Sequence, residues 1–99
     1  MIVVENRIPV KKEFREKFEK LFTERESHLD KTPGFVRNEV LRPVKGDEYV
    51  VMTHWESMEH FQKWMNSDAF KKAHSGDTLP KEAFAGENVI AIHEVFLSS

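Results

Sequence analysis

The sequence predicts an α+β fold whose elements follow one another in the order βαββαβ. Apolar residues alternate with polar ones at the start of the chain, take up a helical spacing over 11–30, and return to alternation over 35–55. A second helical stretch and a last alternating stretch follow. Because 99 residues are enough for one domain with a small core, we expect a single domain over 1–99.

The first half of the chain is expected to form a strand and a long helix. Over 1–10 the alternation places four residues on one face of the strand: Ile2, Val4, Asn6 and Ile8. Over 11–30 one side of the predicted helix carries a mostly apolar stripe, formed by Phe14, Phe18, Leu21, Phe22, Arg25 and Leu29. Thr32-Pro33-Gly34 then breaks the helix.

A hairpin and a broken helix are expected next. Strands over 35–42 and 48–55 are joined by a turn at 45–47, and Ser57 is a suitable N-cap for the helix that follows. The apolar face of this helix is formed by Met58, Phe61 and Met65, with Trp64 beside it. Asn66-Ser67-Asp68 interrupts the helix, and a second short helix is predicted over 69–74.

The last part of the chain contains a long loop and a final strand. Residues 76–88 show no clear period, and loops of this length in compact domains often act as lids. Leu79 and Phe84 are unsuited to a purely solvent-exposed loop, so we expect the loop to cover a site. The final strand is predicted over 89–97.

The complete order βαββαβ is that of the ferredoxin-like, split-βαβ motif. Such a sheet carries its helices on one face, and its other face needs a cover. We expect a second copy of the chain to supply it, which would give a dimeric α+β barrel. The residues expected to make this sheet-to-sheet contact are Val3, Val36, Val40, Val51 and similar ones.

The composition limits the classes of function. A formal net charge of −2 argues against nucleic acid as a partner, because phosphate binding usually needs a basic surface. The sequence contains no cysteine, which excludes disulfides, thiolate metal sites and a thiol nucleophile. Its apolar runs are too short to span a bilayer, and no charged-then-apolar leader opens the chain. We therefore expect a cytoplasmic protein without a membrane partner.

Three residues stand out as candidates for a chemical role. Asn6 shares a face with apolar neighbours, so its amide is expected to bond either a neighbouring backbone group or a ligand. His74 lies four residues after Phe70 on one helical face, which suits a packed or capping residue as well as an axial ligand of haem iron. Trp64, at this helical spacing, is also compatible with an ordinary place in the hydrophobic core. On one unbroken helix it would lie about 15 Å from His74, so the break at 66–68 is what lets both line one cavity.

The remaining candidates are weaker. Arg25 falls on the apolar stripe of the first predicted helix, where it either extends its charged end to solvent or meets an acidic group such as a haem propionate. The other four histidines show no mutual spacing that indicates a metal cluster: His28, His54, His60 and His93.

Four segments, taken together, resemble the IsdG-type haem-degrading monooxygenases of the antibiotic biosynthesis monooxygenase group, which are dimeric α+β barrels. They are Glu5-Asn6-Arg7, the LRPVKG run at 41–46, Thr53-His54-Trp55-Glu56-Ser57 and FQKWMNSDAFKKAH at 61–74. The resemblance runs from residue 1 to about 76. LRPVKG and THWES resemble the mycobilin-forming branch and the Trp64–His74 spacing resembles the staphylobilin-forming one, so the bilin isomer stays open.

The resemblance implies a site and a reaction. The family's strand Asn, helix Trp and following His match Asn6, Trp64 and His74, with Arg25 expected at a haem propionate. Haem would be substrate and oxygen-activating cofactor at once, held between helices and sheet, with His74 as axial ligand of its iron. Asn6 would direct its amide at the reacting O2, and Trp64 would press on the porphyrin. An external reductase or small-molecule reductant would supply electrons, and the products would be iron and a bilin.

Two other functions and a fallback remain open at this point. A non-enzymatic haem carrier of the same fold needs only the ligation of iron. A cofactor-free, quinone-forming monooxygenase needs a pocket but no iron ligand, which leaves His74 unexplained. A pure dimerisation module is the fallback.

Overall fold

The computed structural model of the chain describes residues 1–24, 29–73 and 79–99. Its strands are β1 (Ile2–Pro9), β2 (Phe35–Leu41), β3 (Glu48–Trp55) and β4 (Val89–Glu94), and its helices are α1 (Arg15–Glu24), α2 (Met58–Met65) and α3 (Asp68–Ala73). The strands form one antiparallel sheet in the order β2-β3-β1-β4. This order confirms the predicted ferredoxin-like α+β fold. Within the described residues, no helix has the length and apolar character needed to cross a bilayer.

The strand register assigns side chains to the two faces of the sheet, because residues directly opposite each other point to the same side. On β1, Val4 lies opposite Thr53 of β3 and Ile92 of β4, and Asn6 lies opposite Val51 and Ile90. We call this side, which packs against the helices, the helix face. The other side, which carries Val3, is called the open face. The predicted placement of Asn6 with Ile2, Val4 and Ile8 is therefore correct.

The core on the helix face consists of two separate clusters. Buried Val4, Trp55 and Phe61 form the first, packed by Ile2, Leu29, Phe35, Met58 and Trp64. Buried Val10, Phe18 and Tyr49 form the second, packed by Ile8, Phe14, Phe22, Leu79 and Phe84. The α2 helix thus covers one end of the sheet and α1 the other. Of the predicted apolar face of α2, only Met65, at the last residue of the helix, is exposed.

Two predicted elements differ from the observed ones at their ends. In place of one helix over 11–30, a 3₁₀ turn (Lys12–Phe14) precedes α1 and another (Leu29–Lys31) follows the undescribed residues 25–28. Pro33 has no N–H and disfavours the helical conformation of Thr32. The 3₁₀ turn therefore ends at Lys31, and a tight turn follows. The final strand ends at Glu94 instead of continuing to 97, and just beyond it the Val95 N–H donates to the Met1 carbonyl at 2.9 Å.

The predicted dimer contact combined residues from opposite faces and is in that respect wrong. Val3 lies on the open face, opposite His54, whereas Val51 lies opposite Asn6 on the helix face and Val40 lies opposite Val51. The register of β2 shifts between Phe35 and Arg37, and such a bulge reverses the alternation along a strand. Alternation within one strand therefore could not show which face each valine occupies.

Gly34, which directly precedes β2, provides a test of how this part of the chain packs against α2. Its φ is +82°, and an added Cβ would lie 2.2–2.5 Å from the Cβ and ring of His60, which Ser57 Oγ holds at 2.7 Å. Gly46 has a φ of +88° with no atom within 4 Å of an added Cβ. We expect Gly46→Ala to lower the free energy of unfolding by about 1–2 kcal/mol, the cost of the left-handed conformation. Gly34→Ala is expected to cost about 1–3 kcal/mol more, for overpacking.

Urea denaturation of both variants measures this difference. Because the backbone strain is nearly the same at the two glycines, the excess loss isolates the clash with His60. Equal losses in the two variants would contradict the packing described for α2.

Candidate functional site

A row of four residues crosses the sheet between the two core clusters, and none of the four is buried. Val40 lies opposite Val51, Val51 opposite Asn6, and Asn6 opposite Ile90, all on the helix face. Val40 is 38% exposed and Ile90 54% exposed, although both lie on the side of the sheet that the helices cover elsewhere. We call Val40, Val51, Asn6 and Ile90 the central row. It forms an apolar floor with one amide in it.

The amide of Asn6 is hydrogen-bonded to a side chain that is distant in the sequence but adjacent in the fold. Asn88 Nδ2 donates a hydrogen bond of 3.1 Å to Asn6 Oδ1. The structure therefore gives this amide a side-chain partner in place of the neighbouring backbone group that was one of the two expected partners. Asn88 directly precedes β4, and sequence reasoning missed it because 76–88 showed no period. Counting the alternation back from Ile90 would have placed Asn88 on the same face as Asn6.

Trp64 packs against the first cluster, on the helix face of the sheet. Its ring lies 5.4 Å from the Trp55 ring and 4.8 Å, edge-on, from the Phe70 ring. Trp64 packs against the cluster of Val4, and Val4 precedes Asn6 by two residues, about 7 Å along the strand. The structure therefore places Trp64 and Asn6 on the same face of the sheet.

The break in the helix after Trp64 is present as predicted. The α2 helix ends at Met65 and α3 begins at Asp68. Ser67 makes the junction, because its hydroxyl donates to the Trp64 carbonyl at 2.6 Å and accepts from the Phe70 N–H at 3.2 Å. The contact between the Phe70 and Trp64 rings shows that α3 packs back against α2.

Two of the predicted site residues, Arg25 and His74, lie outside the described residues. Ala73, the last residue of α3, directly precedes His74 in the chain. The described residues contain no group of three His, Cys, Asp or Glu side chains that could hold a metal ion. His54 is buried on the open face, 3.4 Å from a carboxylate oxygen of Glu39, and His60 bonds Ser57, so neither lies at the central row.

The described part of the predicted lid, 79–88, is attached to the sheet. Ala83 is fully buried, Val10 pairs with Phe84, and the Ala85 N–H donates to the Pro9 carbonyl at 3.1 Å. Leu79 and Phe84 pack into the second cluster, which confirms that they are not solvent-exposed loop residues. This part of the segment is therefore packed against the second cluster and bonded to the end of β1. It lines a depression of about 700 Å³ beside Ile8, next to Asn88.

A hydrogen-bonded carboxylate fixes α1, the helix that packs on the second cluster. Glu19 accepts hydrogen bonds from the Arg42 guanidinium, through Nε at 2.9 Å and through Nη2, and from the Tyr49 hydroxyl at 2.5 Å. These bonds, that of Arg42 first, lower the pKa of Glu19 from 4.5 to about 2. Burial, and then Glu19, raise the pKa of Tyr49. The contacts connect α1 to the β2–β3 hairpin.

This carboxylate predicts an acid-dependent part of the stability. Because the pKa of Glu19 is lower in the folded chain, its contribution is complete above about pH 4.5 and is lost as the pH falls towards about 2. Glu19→Gln is expected to lower the free energy of unfolding at neutral pH and to flatten its decline between these pH values. Urea denaturation across this pH range measures both effects. Glu16→Gln, on the exposed side of the same helix, is the control. Parallel declines of wild type and Glu19→Gln would contradict the assignment.

Comparison with known proteins places these features in a family context. The sequence profile of the antibiotic biosynthesis monooxygenase family matches residues 1–76. A mycobilin-producing haem oxygenase of Mycobacterium tuberculosis is 51% identical over 59 residues, which are 59% of this chain and 55% of that protein. A staphylobilin-producing haem oxygenase of Staphylococcus saprophyticus is 39% identical over 84 residues, which are 82% of this chain and 80% of the relative.

A solved structure agrees with the fold over its whole length. The haem-degrader MhuD of Mycobacterium tuberculosis, with two haems bound in its active site, superposes with a TM-score of 0.83 at 35% identity. The superposition covers 100% of this chain and 99% of that one. The sequence alignment with the mycobacterial haem oxygenase, by contrast, spans little more than half of that protein's length.

Proposed function

The chain belongs to the antibiotic biosynthesis monooxygenase family, and we propose that it is a haem-degrading monooxygenase that opens the porphyrin and releases iron and a bilin-type product. Relatives named haem oxygenase at 51% and 39% identity support the reaction class. The agreement in fold with a haem-bound haem-degrader supports the ligand.

The observation that carries the proposal is the uncovered central row. Burying apolar surface stabilises a small domain, yet Val40 and Ile90 are exposed and Val51 is only half-buried on the side of the sheet that faces the helices. Most small-molecule sites are apolar clefts with a few placed polar groups. An apolar floor with one amide, bounded by an aromatic wall at Trp64 and by the second cluster, suits a large flat ligand such as haem.

Each candidate residue has a defined task in this proposal. His74, which follows α3, is the axial ligand of the iron, and Arg25 pairs with a propionate. Asn6 offers its amide from the floor, and Trp64 presses on the porphyrin from the wall that it forms with Phe70. Haem, when bound, supplies the oxygen chemistry and is itself consumed. The residues of the chain bind it, orient it and exclude water. Electrons come from an external reductase or a small-molecule reductant, with O2 as the co-substrate.

We further propose that the protein is a homodimer formed through the open face. This face carries exposed apolar side chains, among them Leu41 and Val89, together with the half-buried Val3, Val50 and Met52. Covering such a sheet face with a second copy is a common way to bury it. Light scattering at micromolar concentration tests this directly, and the mass of a single chain would contradict it.

The decay of bound haem tests the proposed reaction. Purified protein is loaded with hemin, given ascorbate in air, and followed at the Soret band, with catalase present to remove free peroxide that bleaches haem non-enzymatically. We expect the band to form and then to disappear together with the release of chelatable iron. A shifted Soret band that persists favours the carrier, and the absence of any Soret shift on mixing hemin with the protein favours the quinone-forming monooxygenase.

Two neighbouring residues of β4 test where haem binds. Val89 and Ile90 are both 54% exposed, but Ile90 lies on the helix face opposite Asn6 and Val89 lies on the open face opposite Arg7. Ile90→Glu places a charge in the apolar floor, so we expect the affinity for hemin to fall by at least about tenfold. Val89→Glu adds the same charge on the open face, where it is expected to weaken the proposed dimer contact but to leave the hemin affinity of each chain unchanged. Equal effects on hemin titrations would place the haem elsewhere.

A further inference from the structure

Asn88 and Asn6 form a diagonal pair on the helix face of the sheet. Val89 lies opposite Arg7 and Ile90 opposite Asn6, so Asn88 comes just before the paired part of β4 and on the same side as Ile90. Diagonal neighbours on adjacent antiparallel strands lie within reach of medium-sized side chains. The hydrogen bond of 3.1 Å between the two amides shows that they make this contact.

The backbone on both sides of Asn88 is fixed to β1. On one side Phe84 pairs with Val10 and the Ala85 N–H bonds the Pro9 carbonyl, and on the other side Val89 pairs with Arg7. Asn88 thus lies in a short span with both ends attached to the strand that carries Asn6. The backbone of Asn88 is therefore held independently of the bond to Asn6, which makes Asn88 suited to orient the other amide.

The direction of this hydrogen bond determines what Asn6 presents to a ligand. An amide side chain has an accepting oxygen on one side and a donating NH2 group on the other. Asn88 donates, so Asn6 Oδ1 is engaged as the acceptor, and Asn6 Nδ2 is the group left to donate over the floor. The opposite orientation would present a carbonyl oxygen, which repels any ligand atom that accepts hydrogen bonds.

We propose that Asn88 is a positioning residue that fixes the side-chain amide of Asn6 so that its NH2 group, and not its carbonyl, faces the bound ligand. The role rests on the proposed haem site, because it concerns the amide that this site uses. Asn88 touches neither iron nor porphyrin in this proposal and acts only through Asn6.

Asn88→Asp reverses the bond with almost no change in shape. A carboxylate only accepts hydrogen bonds at neutral pH, so the Asn6 amide must turn to donate to it and presents its oxygen to the floor. In haem-free protein, the NMR resonances of the side-chain amides report the orientation of the Asn6 amide without any turnover. We expect the Asn6 NH2 resonances to move downfield in Asn88→Asp and to stay in place in Gln62→Glu, a control of the same charge change at an exposed position on α2.

Fluoride binding to the ferric haem complex gives the second readout, because fluoride accepts hydrogen bonds. We expect Asn88→Asp to weaken fluoride binding by about tenfold, the size of one lost hydrogen bond to an anion. In the Asn6→Ala background the same change is expected to have little further effect, since the amide through which it acts is gone. An equal loss in both backgrounds would show a simple charge effect and overturn the proposal.

The outcomes separate this proposal from the proposed function. If wild-type protein binds no hemin, the proposed function fails, and the NMR comparison alone then decides whether Asn88 orients Asn6. If hemin binds and is degraded but Asn88→Asp leaves both the Asn6 resonances and fluoride affinity unchanged, the positioning role fails and the proposed function stands.

Discussion

His74→Ala is expected to abolish haem degradation, with a loss of turnover of at least about 100-fold. Removing a hydrogen-bond partner of a metal ligand already costs about 10–100-fold, so removing the ligand itself should cost more. The Soret band of the hemin complex is expected to shift as the axial imidazole disappears. Residual hemin binding through the apolar floor is expected to persist, because the central row does not include His74.

Rescue by free imidazole separates ligation from a structural role. Added imidazole is expected to restore the Soret position of His74→Ala and part of its turnover, because the cavity left by the side chain can accept the same ring. His93→Ala is the matched control, since His93 is an exposed histidine on the open face, opposite Val3. Unchanged haem decay in His74→Ala would remove this residue from the mechanism.

Asn6→Ala is expected to slow haem degradation by about 100-fold while hemin affinity stays near the wild-type value. The loss of one preorganised donor at a reacting group typically has this size. Binding should survive because the apolar residues of the central row remain, and Asn6 is only half-buried, so the fold loses little. Single-turnover decay and hemin titration measure the two quantities separately.

The same substitution on the edge strand is the control for Asn6. Asn38 also carries its amide on the helix face, opposite Thr53, but it is exposed and lies on β2. Asn38→Ala is expected to change neither binding nor decay. If Asn6→Ala loses hemin affinity and degrades normally what it binds, Asn6 is a structural residue and not a catalytic one.

Local patterns were sufficient to predict the parts of the fold that depend on one strand or one helix end. The alternation of β1 correctly placed Asn6 among apolar neighbours. Ser57 caps α2 as predicted, with its Oγ accepting from the His60 N–H at 3.2 Å. The break at 66–68 is present because Ser67 satisfies the groups at both helix ends. In each case, the residues that determine the structure are close together in the sequence.

Features that depend on pairing between distant segments could not be predicted. The faces of Val40 and Val51 follow from the register across two strand pairs and from the bulge in β2. The extent of β4 depends on its pairing with β1, which no pattern within 89–97 indicates. The bond between Asn88 and Asn6 joins residues 82 positions apart, and the uncovered central row emerges only once both core clusters are in place.

The mass of the product from a single turnover tests the central proposal most directly. Protein loaded with one equivalent of hemin is given reductant and air with catalase present, and the extracted pigment is analysed by mass spectrometry beside a chelator assay for iron. We expect a linear tetrapyrrole that has gained oxygen, with one iron released for each haem consumed. Recovery of hemin at its original mass, with no iron released, would contradict the proposal that this chain degrades haem.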